Sequence, residues 1–364
     1  MAIIGHRICF CTPGFPVLLL AQKVQINILK KIIKIRFQNG INKEIVERDI
    51  LNELKEDYIF EESDKPDFIF FGPYGNDIPQ PGNYIRIGYF CENMLPDFRT
   101  CEWAFGVMAE EKINNPRYRR IQWHGLDPQK LVKPAEYDAE AILRSKKHFC
   151  NFLYSHKVPY REEFFRQLSK YKKVDAPGRS MNNMPSIDEK YKGDLWQRKR
   201  QFLSEYKFTV SFENYIYPGY QTEKLYDPMQ ADSLPIYCGD PLIGNIFNTK
   251  SFINAPDYLQ PSNKKRVKWL EDKSQPDFKD MLPSFYTAPG NRIKRKLKTI
   301  GRELKMRYQF QRMFDFSPLI SRIIELDKDD SKYLAVLKQP WFKNNTPPAN
   351  ASLKEHWIKI FSGN

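Results

Sequence analysis

The stretch PDFIFFG, residues 66–72, allows few folds. Four large apolar side chains in a row leave a strand with no polar face. Both faces must then be covered by protein, as in a parallel sheet flanked by helices. Similar runs recur at IIKIRF (32–37), YIRIGYF (84–90) and CEWAFGVM (101–108). After the first of these, INKEIVERDILNELKED (41–57) carries Ile45, Ile50, Leu51 and Leu54 at helical spacing. Strands alternating with helices define an α/β layer architecture. A second series starts with KKHFCNFLYS (146–155). It continues through the helical REEFFRQLSKY (161–171), a polar loop at 176–194, KFTVSFEN (207–214) and the buried strand LPIYCG (234–239). At 364 residues the chain exceeds what one core usually supports. The expected units are therefore 1–145, 146–290 and a different remainder, 291–364. Two open parallel sheets facing each other leave a cleft at the carboxyl ends of their strands, where ligands of such sheets bind.

The remainder is where the charge lies. Residues 292–312 hold nine Lys/Arg against one Glu, much of the net +14 of the whole chain. Ile293, Leu297, Ile300, Leu304 and Tyr308 recur there at helical spacing, so the run is a basic amphipathic helix. Such a helix suits an anionic membrane surface, or packs on the protein with its basic face in water. No RNP, zinc-finger or helix-turn-helix pattern supports nucleic acid as the acidic partner. The six cysteines form no CxxC pair and no zinc spacing, and read as reduced thiols. The apolar stretch at 8–21 contains two prolines and a glycine and is too short to span a bilayer. Asp327-Lys328-Asp329, of the kind that metal-dependent transferases use, sits in a charged run and is expected to be solvated surface.

Three short segments could carry chemistry. In FENYIYPGYQTEK (212–224), Glu213 and Asn214 fall at the carboxyl end of a strand, and Pro218-Gly219 turns the chain. Thr222 can cap a helix whose first turn holds Glu223 and Lys224, where free N–H groups favour a phosphate. Asp227-Pro228 is itself a good helix start, so the helix begins either at 223 or at 227. In YFCENMLPDF (89–98), Glu92 ends a strand of the first unit. A carboxylate partly desolvated there has its pKa raised and suits a general base. In HKVPYREEFF (156–165), Arg161 stands in the first turn of a helix, where a guanidinium can grip a pyrophosphate. Taken singly, these residues read equally as a surface turn with a solvated Glu–Lys pair, a capping glutamate, and a surface arginine paired with Glu162 or Glu163.

Together, Tyr89 to Pro96, FENYIYPGYQTEK, LPIYCGDP (234–241) and NTKSFIN (248–254) resemble the α1,3/α1,4-fucosyltransferases of glycosyltransferase family ten, bacterial type, over about residues 30–260. The resemblance implies a GT-B fold: two Rossmann-like domains with the active site in the inter-domain cleft, the amino domain for acceptor and the carboxyl domain for GDP-fucose. It implies an inverting transfer with no cofactor and no metal in the chemical step. By position, Glu92 matches the general base with Tyr89 beside it. Arg161 and Lys224 match the pyrophosphate clamp, Glu223 the ribose ligand, and Glu213, Asn214 and Tyr220 donor-site contacts. The acceptor implied is a GlcNAc-type hydroxyl of an N-acetyllactosamine-type glycan or lipopolysaccharide. Tyr215 and Gln221 depart from the family pattern, which leaves room for another GDP-deoxyhexose. A non-catalytic membrane-surface protein on the same fold is the rival class. The expected location is cytoplasmic and peripherally membrane-associated, not Golgi.

Overall fold

The structure, a computed structural model, describes residues 30–259 except 74–76, 92–93, 122–125, 215 and 217, and residues 315–363 except 349–351; Ile293, Leu297 and Ile300 are described singly. Its strands form two all-parallel sheets. The first comprises β1 (Lys31–Gln38), β2 (Tyr58–Glu62), β3 (Phe68–Phe71), β4 (Ile85–Phe90), β5 (Trp103–Gly106) and β6 (Tyr118–Arg120), in the order β2-β1-β3-β4-β5-β6. Helices α1 (Lys43–Asp49) and α2 (Glu110–Ile113) lie in its connections. After α3 (Ala139–Ser145) the second sheet is built from β7 (His148–Asn151), β8 (Val174–Asp175), β9 (Tyr206–Phe212), β10 (Leu234–Cys238) and β11 (Ile253–Asn254). Its order is β11-β10-β9-β7-β8. Helices α4 (Pro159–Leu168), α5 (Leu195–Ser204) and α6 (Glu223–Gln230) connect these strands, and α7 (Ser317–Lys328), α8 (Asp330–Leu337) and α9 (Lys354–Ser362) follow.

The apolar runs become the sheet interiors. All four residues of β3 and all five of β10 are buried. In register, Phe70 lies opposite Phe37 and Ile87, and Val210 opposite Ile236. The helix expected over 41–57 is shorter. Asn42 caps α1, which stops at Asp49, and a 3-10 turn at Leu51–Leu54 still buries both leucines. Pro159 opens α4 at its first position, where the missing N–H costs nothing. Asp194 and Gln197 close a capping box on α5.

The end of the chain is shared between the domains. Leu319, Ile323, Leu326, Tyr333 and Leu337 of α7 and α8 complete the core of the second domain. Helix α9 returns to the first: Trp357 stacks on Phe105 with centroids 3.9 Å apart, and Phe361 meets Phe68 edge-on at 4.9 Å. Residues 315–363, grouped with the basic tail on sequence grounds, therefore pack into both cores. Of the basic run 292–312, only Ile293, Leu297 and Ile300 are described; they are helical and exposed. The two crossings between domains are tied to each other. Lys133 N–H donates to Asn345 Oδ1 at 3.0 Å, and Asn345 Nδ2 donates back to Lys133 O at 2.7 Å.

The expectation that Asp327 to Asp329 is solvated fails at Asp327. Its carboxylate is 5% exposed, accepts from Tyr171 (2.9 Å) and Lys172 (3.1 Å), and lies 3.6 Å from Lys207. Asp329 caps α8. A buried acid needs cationic partners, and for Asp327 these come from the start of β9 (Lys207) and from Lys172 after α4.

Candidate active site

Strand order decides where a crevice opens. In the second sheet, β7 and β9 are neighbours whose connections leave in opposite directions, to β8 and to β10. At such a switch point the carboxyl ends splay apart and leave room for a ligand. Helix α4 begins just after β7, and residues 213–222 follow β9. Arg161, Glu213, Asn214, Glu223 and Lys224 therefore come from the two elements that border this crevice.

Arg161 is fully buried. Its Nη1 donates to Phe212 O (3.1 Å) and Asn214 Oδ1 (2.9 Å), and its Nη2 to His156 O (2.9 Å). The guanidinium lies 3.9 Å from the Tyr154 ring centroid, and Nε is buried with no hydrogen-bond partner. The surface pairing with Glu162 or Glu163 does not occur; both acids face Arg166 instead. No carboxylate pairs with Arg161 among the described residues. A buried cation met only by neutral oxygens and a ring keeps its net charge, an arrangement that strongly favours an anion.

The helix start settles at Glu223. Thr222 is extended (φ −134°) and its side chain accepts from Lys224 N–H. Asp227 caps nothing; it pairs with Lys199 at 2.6 Å. Pro228 lies inside this helix, where it supplies no backbone N–H to the ladder. Glu213 is fully buried behind this turn. Its Oε1 accepts the Thr222 N–H at 2.9 Å, its Oε2 accepts the Thr222 hydroxyl at 2.8 Å, and Oε2 lies 3.5 Å from Lys224 Nζ. Lys224 also reaches Thr222 Oγ1 (3.0 Å) and Glu223 Oε1 (3.3 Å). Gly239 makes this possible: a Cβ there would fall 2.5 Å from Glu213 Cγ. The solvated Glu–Lys pair is thus excluded for Lys224, whose side chain is 17% exposed.

Burial pushes the Glu213 carboxyl up, against the pull of Lys224. Burial works in the same direction on Glu223, but Lys224 and Lys199 overcome it and hold that carboxyl at about 2. Lys224 is raised above the usual lysine range, because the Glu223 and Glu213 carboxylates outweigh its burial and the repulsion of Arg161. The cluster therefore sets Arg161, in the first turn of α4 and without a carboxylate partner among the described residues, against Lys224 in the first turn of α6, which Glu213 and Glu223 already pair.

Glu92 lies outside the described residues; the strand before it, β4, ends at Phe90. Tyr89 is in the core of the first domain. Tyr220 is buried within the turn after β9. Two residues that sequence reasoning did not single out support the cluster. Tyr154 carries the Arg161 guanidinium on its ring, with no sequence signal to mark it. Asp240 accepts the Gly219 N–H at 2.8 Å; it stands in the quoted LPIYCGDP, where it could have been found. Among the described residues no group of three or more His, Cys, Asp or Glu could hold a metal ion, and no helix is long and apolar enough to cross a membrane.

Two parallel α/β domains, with their conspicuous charges at strand carboxyl ends, define a protein of the GT-B class. Solved structures share this fold: crystal structures of an alpha1,3-fucosyltransferase with GDP-fucose (TM-score 0.56) and with GDP (TM-score 0.58) each match at 20% identity. They cover 92% and 93% of this chain and 91% and 92% of theirs. Residues 35–125 match the profile of the alpha-(1,3)-fucosyltransferase FucT N-terminal domain, and 143–275 that of the glycosyltransferase family 10 (fucosyltransferase) C-terminal region. The chain belongs to glycosyltransferase family 10. The alpha-(1,3)-fucosyltransferase FucT of Helicobacter pylori is 29% identical over 227 residues, 53% of this chain and 45% of that protein. The alpha-(1,3)-fucosyltransferase B of Drosophila melanogaster is 36% identical over 106 residues, 28% of this chain and 24% of that protein. The matches span less than half the length of these curated relatives.

Proposed function

We propose that this protein is an inverting fucosyltransferase. It moves L-fucose from GDP-fucose to a GlcNAc-type hydroxyl of a glycan, in α1,3 or α1,4 linkage. The observation that carries the donor half is the buried Arg161, without a carboxylate partner among the described residues, next to Lys224 at the start of α6. A pyrophosphate answers the charge of Arg161 and can share Lys224 with its two carboxylates. As GDP departs, negative charge grows on its oxygens, and fixed cations stabilise it with no reorganisation. Glu223, ionised and part-exposed, can accept the ribose hydroxyls. Glu213 and Asn214 position the clamp, through Thr222 and Arg161 respectively. Glu92 is the base that takes the acceptor proton, worth roughly 10²–10⁴-fold in rate. N-acetyllactosamine-type glycans and lipopolysaccharide are the acceptors to screen.

A thermal-shift panel of GDP, UDP, CDP, GDP-fucose and GDP-mannose tests the donor. A ligand at a hundred times its dissociation constant adds about 2.7 kcal/mol, which a melting curve resolves. Stabilisation by GDP and GDP-fucose alone is expected. A response to GDP-mannose as large as that to GDP-fucose would move the assignment to another GDP-hexose. No response to any guanine nucleotide would end it.

Peripheral contact with anionic membrane through 292–312 is a second reading, favoured by the exposed, helically spaced Ile293, Leu297 and Ile300. Truncation before 292 would remove elements of both cores, so the suitable variant replaces these three residues by serine. Salt-sensitive pelleting with anionic liposomes should fall in that variant. Unchanged pelleting would remove the membrane from this account.

A further inference from the structure

The peptide of Gly219 is gripped from both domains. Its N–H donates to Asp240 Oδ1 at 2.8 Å, within the second domain. Its carbonyl accepts from Arg120 Nη2 at 2.7 Å, and Arg120 is the last residue of β6 in the first domain. The residue itself is pressed against the first domain. A Cβ on Gly219 would lie 3.1 Å from Ala109 N and 3.4 Å from Val107 O, on the turn after β5. Its φ of +87° also disfavours any other residue.

The two jaws differ in firmness. Asp240 is buried, with its Oδ1 also accepting the Leu242 N–H at 2.8 Å and its Oδ2 accepting the Gln221 amide. It cannot move without disturbing the loop after β10. Arg120 is held through its own N–H, which donates to Glu110 Oε1 at 3.1 Å, and its buried Nε has no hydrogen-bond partner. Three residues beyond Gly219 stands Thr222, whose N–H and hydroxyl are fixed on Glu213 and which caps the helix carrying Lys224. A shift at Gly219 must be absorbed within Tyr220 and Gln221, both buried. The start of α6 is thus linked to the first domain through the Arg120–Gly219 contact.

We propose that Arg120 is a positioning residue: through the Gly219 carbonyl, the first domain seats the turn that leads into the start of α6, so affinity for the donor depends on this contact. This rests on the donor-site reading above. A ligand that needs the seated turn draws the two domains together, and any state in which they part has a weaker donor site.

The test compares wild type, Lys224→Ala, Arg120→Ala and Arg120→Lys by calorimetric titration with GDP and by melting without nucleotide. Arg120→Ala should raise the dissociation constant for GDP about ten- to a hundredfold, the range of one charge-assisted hydrogen bond. Arg120→Lys, which keeps a cationic donor, should recover part of that loss. A merely structural strut would instead lower the melting temperature of Arg120→Ala and leave its affinity for GDP at the wild-type value, and that outcome overturns the proposal. If Arg120→Ala does not fold, Arg120→Gln is judged by the same two readouts. The donor-site reading fails separately: wild type would show no GDP binding, or Lys224→Ala would bind as wild type does. The first result removes this inference as well. The second leaves it to stand or fall on the Arg120 variants.

Discussion

The two domains share a strand order and differ in what fills the crevice it creates. The first five strands of the amino sheet run β2-β1-β3-β4-β5, and the carboxyl sheet runs β8-β7-β9-β10-β11, the same winding. Each has its switch point between the first and third strands. In the carboxyl sheet that gap is bordered by Arg161, Glu213 and Asn214. In the amino sheet it is stoppered by Asn39, which donates from Nδ2 to Gly72 O at 2.6 Å and accepts the Asp77 N–H at 2.9 Å. Asn39 is buried and sits at φ +54°, a conformation asparagine tolerates better than most residues. One crevice thus carries a buried guanidinium without a carboxylate partner among the described residues, and the other a buried neutral amide. The fold provides the same strand order twice, and side chains make the two crevices chemically different.

The largest effect that would break this division of labour belongs to Glu92. Glu92→Gln removes the proposed base and leaves the clamp. Transfer should fall by roughly 10²–10⁴-fold, with GDP affinity unchanged. Full activity in that variant would shift the base elsewhere. Lys224→Ala should weaken both GDP binding and transfer, by about ten- to a hundredfold for one charge-assisted contact. A fall in transfer alone would mean that Lys224 acts only in the transition state.

The difference between the domains was only partly legible in the sequence. The apolar runs FIFF and LPIYC announced parallel strands, since a strand with no polar face has few other places to go. The stretch FENYIYPGYQTEK announced the turn after β9 and the Thr222 cap. Strands β2 (YIFEE) and β6 (YRR) were missed, because edge strands half-open to water carry no apolar run. The two residues of β8 were too few to register. Arg161 was placed in its helix, but not its burial: the Phe212 carbonyl that receives it lies 51 residues away. The docking of α9 onto the first domain, like the grip of Arg120 on Gly219, is tertiary, and no local pattern encodes either.

A smaller effect tests the stopper. Asn39→Ala loses two hydrogen bonds and places alanine at positive φ, which together should cost about 2–4 kcal/mol of stability. Asn39→Gly keeps the backbone conformation at ease and should cost less. Denaturant titration ranks the pair. Neither change should alter affinity for GDP, since the stopper belongs to the other crevice. A GDP affinity that falls with Asn39 would show that the two crevices are not separate.

The smallest effect concerns the helix that returns to the amino domain. His356 of α9 lies against Trp103 and Phe105, with ring centroids 5.2 and 5.9 Å away, and its Nε2 is buried with no hydrogen-bond partner. Burial, then the nearby Arg119 and Lys359, lowers its pKa to about 4. The unfolded chain takes up this proton near pH 6.5, while the folded chain resists until about pH 4. Between those values the unfolded state binds more protons, so stability must fall as the pH falls. Above about 6.5 neither state holds the proton, and the contribution is flat. The carboxyl domain has no counterpart to this histidine among its described helices, so the acid sensitivity should begin at the α9 docking surface. His356→Phe keeps an aromatic ring against Trp103 and removes the titration. Its melting temperature should lose less than that of wild type between pH 6.5 and 4. Parallel curves for the two proteins would place the acid-labile contact elsewhere.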